Sequence, residues 1–509
     1  MPVPGRNSRF QNDEQINIGK EAIEDRSRTV SGRQREDILP TRIDSPGQVD
    51  VVSKVENGFG QGHILQEARP PSLRGNEEGA DLLETKQGGV WGGLSEDIPA
   101  RPRGEDDIHL IFSTDCSPYQ NYQSLLLFHS AEEVGQSGRV TRVASGCSES
   151  AKMELEELMR RQPDRFRVHF TPDFSHDSVT GKTYHFYNKP NGMAHFLEHA
   201  TPPIEEAVLA LIDPDMVLVR KLTPNVGDPS LMLWSVKESE PADWVEEGKP
   251  VSQSYGLGGI WTEWKDIMRA ELGEDTPALK VSNKDAIAYY AVGPPYMMHP
   301  RDWTRVIDLW VLMAPPVNRA HPSILAEMYG FCMATAHLGL RHRIAYGLMV
   351  SYSKMENTEG WPLVDVLGTE ACDEDVVARH ATRLPPIIHY CQMLRVGTYV
   401  FGKRRKEHHS FFSCGADSLQ LPPQGYLGSP WGLLRIHPTM RKEGPREVIP
   451  LKIGVREGYG ICAALRAMNA AQHSYKERYC EPGEIQGGVK RLTDLSLAQL
   501  ATDYTLDHD

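Results

Sequence analysis

Leu209-Ala210-Leu211-Ile212-Asp213-Pro214-Asp215-Met216-Val217-Leu218 is an apolar run that breaks at two aspartates one residue apart. From Ala207 to Ile212 every residue is apolar. Such a run reads as a strand buried on both faces, and Asp-Pro-Asp as the turn at its carboxyl end. In open α/β sheets, ligands gather at the carboxyl ends of the strands. Two carboxylates at that place can hold Mg²⁺ or Mn²⁺, hard ions that take oxygen ligands and bridge to diphosphate oxygens. Asp373-Glu374-Asp375 and Asp507-His508-Asp509 share the spacing but stand in polar surroundings. The plain alternative for Asp213 and Asp215 is a strand-end turn with no ligand.

Upstream, Ile108-His109-Leu110-Ile111-Phe112-Ser113 is a β-like run, Pro118 to Val134 is helical, and Arg139 to Ala144 is β-like again. Strand, helix, strand at this spacing opens a parallel α/β sheet. Pro190 to Thr201, Trp303 to Met313, Ile324 to Leu338 and Tyr459 to Tyr475 read as helices, and Pro385 to Tyr390 as a short strand. The pattern predicts three regions. Residues 1–104, rich in Gly, Pro, Ser, Glu, Arg and Gln, form a disordered polar extension. Residues 105–415 form the α/β domain, and 416–509 a C-terminal appendage and tail.

The net charge of −14 argues against a nucleic-acid partner, which needs a basic face for phosphates. An anionic diphosphate then binds only where a metal or local cations neutralise it. No apolar run of about 18 residues exists, so no membrane span is expected, and the first residues lack the apolar core of a signal peptide. Eight cysteines without a C-x-x-C pair leave the compartment open.

His195-Phe196-Leu197-Glu198-His199 fits the H-x-x-E-H pattern of inverted zinc peptidases. On a helix, His195 and His199 share one face at the spacing zinc requires. The alternative is an amphipathic helix with surface histidines, and no downstream glutamate stands out as a third ligand. The chain has no G-x-S-x-G elbow and no Walker loop, and Gly256-Leu257-Gly258-Gly259 reads as a turn.

Four blocks in order over about 105 to 405 resemble the plant and algal family of hydroxyproline O-arabinosyltransferases and peptidyl serine α-galactosyltransferases. They are His109 to Cys116 with Tyr119, Gln123 and Gly138 to Arg142; Asn188-Lys189-Pro190 leading through the His195 to His199 helix to Asp213-Pro214-Asp215; Glu327-Met328-Tyr329-Gly330 with Gly339 to His342; and Ile388-His389-Tyr390 with Val396 to Lys403. The placement of Cys116 and Cys147 resembles the serine galactosyltransferase branch. They follow the first and second strands, and neighbouring parallel strands predict that their Cα atoms lie within about 7 Å.

The resemblance implies a GT-A-like glycosyltransferase fold, a mostly parallel central sheet flanked by helices. It implies a UDP-sugar donor (UDP-galactose or UDP-L-arabinofuranose), a serine or hydroxyproline acceptor in a glycoprotein, retention of configuration, and Golgi or secretory residence. Asp213, Asp215 and His389 match the metal-holding set for Mn²⁺ or Mg²⁺. Thr114, Asn188, Lys189, Asp213 and Lys403 match positions toward the nucleotide, and Glu327 a carboxylate near the transferred sugar. Each has a plain alternative: a core histidine for His389, a helix start for Asn188-Lys189-Pro190, a solvated basic run for Lys403 to Lys406, and a paired structural acid for Glu327. The chain departs from the family in having a polar leader where a membrane anchor is usual, and polar insertions at Lys237 to Lys249 and Glu271 to Lys280. Two rivals stand beside this reading, a zinc metallopeptidase and a non-catalytic sugar-nucleotide-binding relative.

Overall fold

The computed structural model describes residues 91–233, 244–356, 358–397, 399–404, 406–429, 432–436 and 446–490. Most of the expected N-terminal extension (1–90), residues 234–243 with the first part of the polar insertion, and the tail beyond 490 lie outside the described residues. Residues 91–104 do not continue a structureless leader. Leu94 bridges to Ile204, and Ile98 is buried.

The chain opens as β1 (Ile108–Thr114), α1 (Pro118–Glu133), β2 (Val140–Ser145), α2 (Glu149–Met159) and β3 (Phe166–Thr171). Both helices start on a serine cap. Ser117 Oγ accepts from the Gln120 amide at 3.2 Å and Ser148 Oγ from Ala151 at 3.3 Å, which satisfies an amide that a helix start otherwise leaves open. Next come α3 (Asn188–His199), β4 (Val208–Ile212), β5 (Met216–Leu218), β6 (Val251–Ser254), β7 (Val292–Met298), α4 (Pro300–Ala320), α5 (Ala326–His337) and β8 (Arg343–Ala345).

Seven strands form the main sheet in the order β3-β2-β1-β4-β7-β6-β8. Only β7 runs against the others. This mostly parallel sheet with helices packed on it is the GT-A-like fold expected from the sequence. β4 sits at its centre, and every residue of β4 is buried. α4 and α5 pack closely at Gly330, where a Cβ would lie 3.1 Å from the Ala314 backbone nitrogen.

A second sheet has the order β5-β10-β9, with β9 at Met349–Val350 and β10 at Ile387–His389. A hairpin follows, β11 (Leu394–Val396) and β12 (Tyr399–Phe401). The last helix, α6, runs from Leu451 to Tyr479, well beyond the helical stretch visible in the sequence. It is not part of a separate appendage. Its Val455, Tyr459, Leu465 and Met468 share one apolar cluster with Val217 of β5, Ile388 of β10 and Phe401 of β12. Gly454 and Gly458, poor helix formers, hid the first turns, yet their lack of side chains admits Leu433 and Leu427 against the helix.

Three disulfides are present: Cys116–Cys147, Cys372–Cys462 and Cys414–Cys480. The first joins the ends of β1 and β2 with Cα atoms 5.4 Å apart, inside the expected reach. Cys332 and Cys391 are free.

Asp302, in the first turn of α4, is buried and accepts from the Gly248 amide at 2.7 Å. Burial pushes its carboxyl up to about 6. The folded state therefore holds this proton more tightly than the unfolded chain. The site's contribution to stability is greatest below about pH 4 and is lost as pH rises past 6. Asp302→Asn, which keeps the acceptor for Gly248, should be more stable than wild type at pH 8, and the difference should close by about pH 4 in urea denaturation.

Candidate active site

The turn after β4 carries Asp213 and Asp215, and β5 starts immediately after it. β5 pairs antiparallel with β10 in the register Ile387↔Leu218, Ile388↔Val217, His389↔Met216. One residue further, the Tyr390 amide donates to the Asp215 carbonyl at 3.0 Å. The ladder therefore sets His389 beside Asp215 although 174 residues separate them. His389 Nε2 lies 3.1 Å from Asp215 Oδ1 and 4.0 Å from Asp213 Oδ2. One ligand atom from each of the three residues falls within 4.8 Å of the others.

Two carboxylates and an imidazole converging in this way fit a divalent ion of the Mn²⁺ or Mg²⁺ type, with the oxygens suiting either and the nitrogen suiting Mn²⁺. The ring presents Nε2 to both carboxylates, the atom that would serve as the imidazole ligand. Burial opposes charge on the imidazole, but neighbouring Cys391 and Asp215 outweigh it and hold its pKa well above the ordinary value.

Each aspartate also has a lysine. Lys189 Nζ stands 2.9 Å from Asp213 Oδ1 and 2.9 Å from Glu327 Oε1, so one ammonium joins α3, the β4 turn and α5. Lys403 Nζ stands 2.6 Å from Asp215 Oδ2. Its backbone is pinned because the Tyr122 hydroxyl of α1 donates to the Lys403 carbonyl. Burial alone would raise the pKa of Asp215, but Lys403 and His389 overcome it and keep the carboxylate well below its usual range. For Glu327 burial wins over Lys189, and its pKa is raised. Glu327 is 1% exposed, and its Oε2 has no hydrogen-bond partner.

Two residues placed toward the nucleotide by resemblance serve other contacts. The Thr114 hydroxyl accepts from Nε of the buried Arg142 at 2.8 Å. Asn188 accepts from the Phe174 amide at 2.7 Å and donates to Asp173 at 3.3 Å, which fixes the loop before α3. α3 begins at Asn188, but its side chain is not the cap.

Sequence reasoning passed over Tyr255. Burial, then the charges of Cys391, Asp213, Asp215 and Glu359 around it, push its phenol pKa well above the ordinary value. Its ring lies against Gly293 of β7 where any Cβ would collide. Only the adjacent Gly-rich turn marked the place in the sequence, and that pattern carries no chemistry of its own.

The H-x-x-E-H residues do not assemble a zinc site. His195 Nδ1 pairs with His169 Nε2 at 2.8 Å, and Glu198 and His199 are half exposed. Among the described residues, the Asp213, Asp215 and His389 group alone brings three such ligands together.

The strand order and the lone reversed strand give a GT-A-like fold, a mostly parallel central sheet flanked by helices. In sequence the chain is similar to two proteins named peptidyl serine alpha-galactosyltransferase. It is 27% identical over 256 residues to that protein from Arabidopsis thaliana, a match covering 48% of this chain and 27% of the relative. It is 23% identical over 402 residues to the one from Chlamydomonas reinhardtii, covering 74% of this chain and 47% of the relative. The matches thus span about a quarter and about half of those relatives' lengths. No family model matches the chain. Similar solved structures include the bifunctional glycosyltransferase WbbM (TM-score 0.31, 10% identity, 59% of this chain and 48% of that one). Another is the galactosyltransferase LgtC with donor and acceptor sugar analogs (TM-score 0.29, 11% identity, 56% of this chain and 87% of that one).

Removing Lys189 leaves Asp213 and Glu327 facing each other without a cation. Lys189→Met should therefore cost about 3 kcal/mol of folding stability. Adding Glu327→Gln should return part of that loss, since the two side chains are coupled; a double-mutant cycle in urea checks both values.

Proposed function

We propose that this chain is a glycosyltransferase that moves galactose from UDP-galactose to a serine hydroxyl of a protein, with Mn²⁺ or Mg²⁺ held by Asp213, Asp215 and His389. The observation that carries this reading is the convergence of those three side chains at the carboxyl end of β4. The names of both matched relatives favour galactose and serine over L-arabinofuranose and hydroxyproline.

A bound metal would neutralise charge on the departing diphosphate as a Lewis acid. The chain's own residues do the rest. Lys403, 2.6 Å from Asp215, places an ammonium where it can reach the diphosphate. Lys189 holds Glu327 next to Asp213, which in this reading sets a carboxyl group beside the transferred sugar. The serine oxygen forms a bond to the anomeric carbon as the bond from that carbon to the diphosphate oxygen breaks. The bonding pair leaves with the diphosphate, which takes the hydroxyl proton. No separate base is required, and attack from the face the nucleotide leaves retains configuration.

Three disulfides suit an oxidising lumen and support secretory or Golgi residence. No helix among the described residues is long and apolar enough to cross a membrane.

Transfer from UDP-galactose to a serine peptide in the presence of Mn²⁺ tests the reading. Asp213→Asn and Asp215→Asn should each lower the rate by about 10²-fold or more, with circular dichroism showing a retained fold. Full activity in both variants would remove the metal site. Turnover of UDP-galactose by the wild type also separates an enzyme from a binding relative.

A further inference from the structure

The stretch around Glu327, residues 321–329, is flanked by the half-buried rings of Tyr184, Trp264 and Tyr329 and by two exposed apolar side chains, Phe186 and Ile324. The Tyr184 hydroxyl donates to the Ile324 carbonyl at 3.2 Å and accepts from the Glu327 amide at 3.4 Å. Phe186 packs beside Tyr184, with centroids 5.3 Å apart, and is 40% exposed. Trp264 stacks flat on His321, with centroids 3.9 Å apart and planes 12° from parallel, and meets Tyr329 edge-on at 5.0 Å. Ile324, between these groups in sequence, is 68% exposed.

We propose that this aromatic rim is the acceptor subsite, on which an extended polypeptide lies with the apolar side chains flanking its serine held against Tyr184, Phe186, Ile324 and Trp264. The proposal rests on reading the site as that of a glycosyltransferase. The occupant follows from position and charge. Glu327 stands in the first turn of the helix that this stretch enters, and Lys189 ties it to Asp213, so in this reading a chain lying on the rim is next to the transferred sugar. The nucleotide belongs elsewhere, because its phosphates need cations, and the buried cations stand on the aspartates while the rim offers rings.

Exposed apolar groups gathered in one place mark interaction surfaces. Tyr and Trp supply large contact areas at low entropic cost, and a ring already stacked on its neighbour loses little freedom on binding. An extended peptide presents its side chains to such pockets in a regular order.

The test uses the whole chain, Mn²⁺, UDP-galactose and two synthetic peptides, one with its serine flanked by leucines and one with glycines. Wild type should show a KM about tenfold lower for the leucine peptide. Ile324→Asp, at an exposed position that leaves the core alone, and Trp264→Ala should each raise that KM about tenfold. The KM for the glycine peptide and the UDP affinity measured by calorimetry should hold. Transfer with no preference between the peptides, or a preference that survives both substitutions, overturns this proposal alone. No transfer by wild type to either peptide overturns the parent reading and this proposal with it.

Discussion

Three residue pairs between β5 and β10 hold the candidate site together. They bind a strand that begins one residue after Asp215 to a strand that ends in His389, and a shift of one residue would turn His389 to the opposite face. The Tyr390 amide on the Asp215 carbonyl locks the register at the end that matters. The apolar cluster beneath supports the ladder. Val217 and Ile388 pack with Phe401 and with α6, so a helix beyond residue 450 stabilises a turn near residue 213.

Charge is arranged around the same point. Asp213 and Asp215 are close enough to repel, and each meets a lysine delivered by a different part of the fold, α3 for one and the segment after β12 for the other. Buried carboxylates without partners would take up protons instead. Paired, Asp215 stays ionised, as a ligand for a hard cation must. Lys189 extends the arrangement to Glu327, a carboxylate that burial pushes toward its neutral form.

Much of this was legible in the sequence, and the limits are physical. The run from Leu209 to Leu218 announced a buried strand with acids at its end because burial on both faces leaves continuous apolar residues. β1, α1 and β2 were equally plain. The partner of Asp215 was not: Ile387-Ile388-His389 is three residues long, and nothing local tells such a strand which neighbour it pairs with. Resemblance brought His389 in, and the ladder supplies the reason. Thr114 and Asn188 show the reverse case, polar residues matched to the nucleotide side whose hydrogen bonds are spent on Arg142 and on the 173–175 loop. Tyr255 was not singled out, since its close packing is against Gly293 on a different strand. α6 was underestimated because glycines inside a helix read as turns until the leucines that fill their places are known.

The central claim is that Asp213, Asp215 and His389 form one metal centre at the nucleotide end of the sheet. Diffraction from crystals grown with Mn²⁺ and UDP, recorded for the anomalous signal of manganese, tests it most directly. The account predicts a single strong peak among the two carboxylates and the His389 Nε2, at coordination distances of about 2 to 2.5 Å, with diphosphate oxygens completing the shell. A peak seated instead on His195 and His199, or UDP bound away from the β4 turn with no metal beside it, would contradict it.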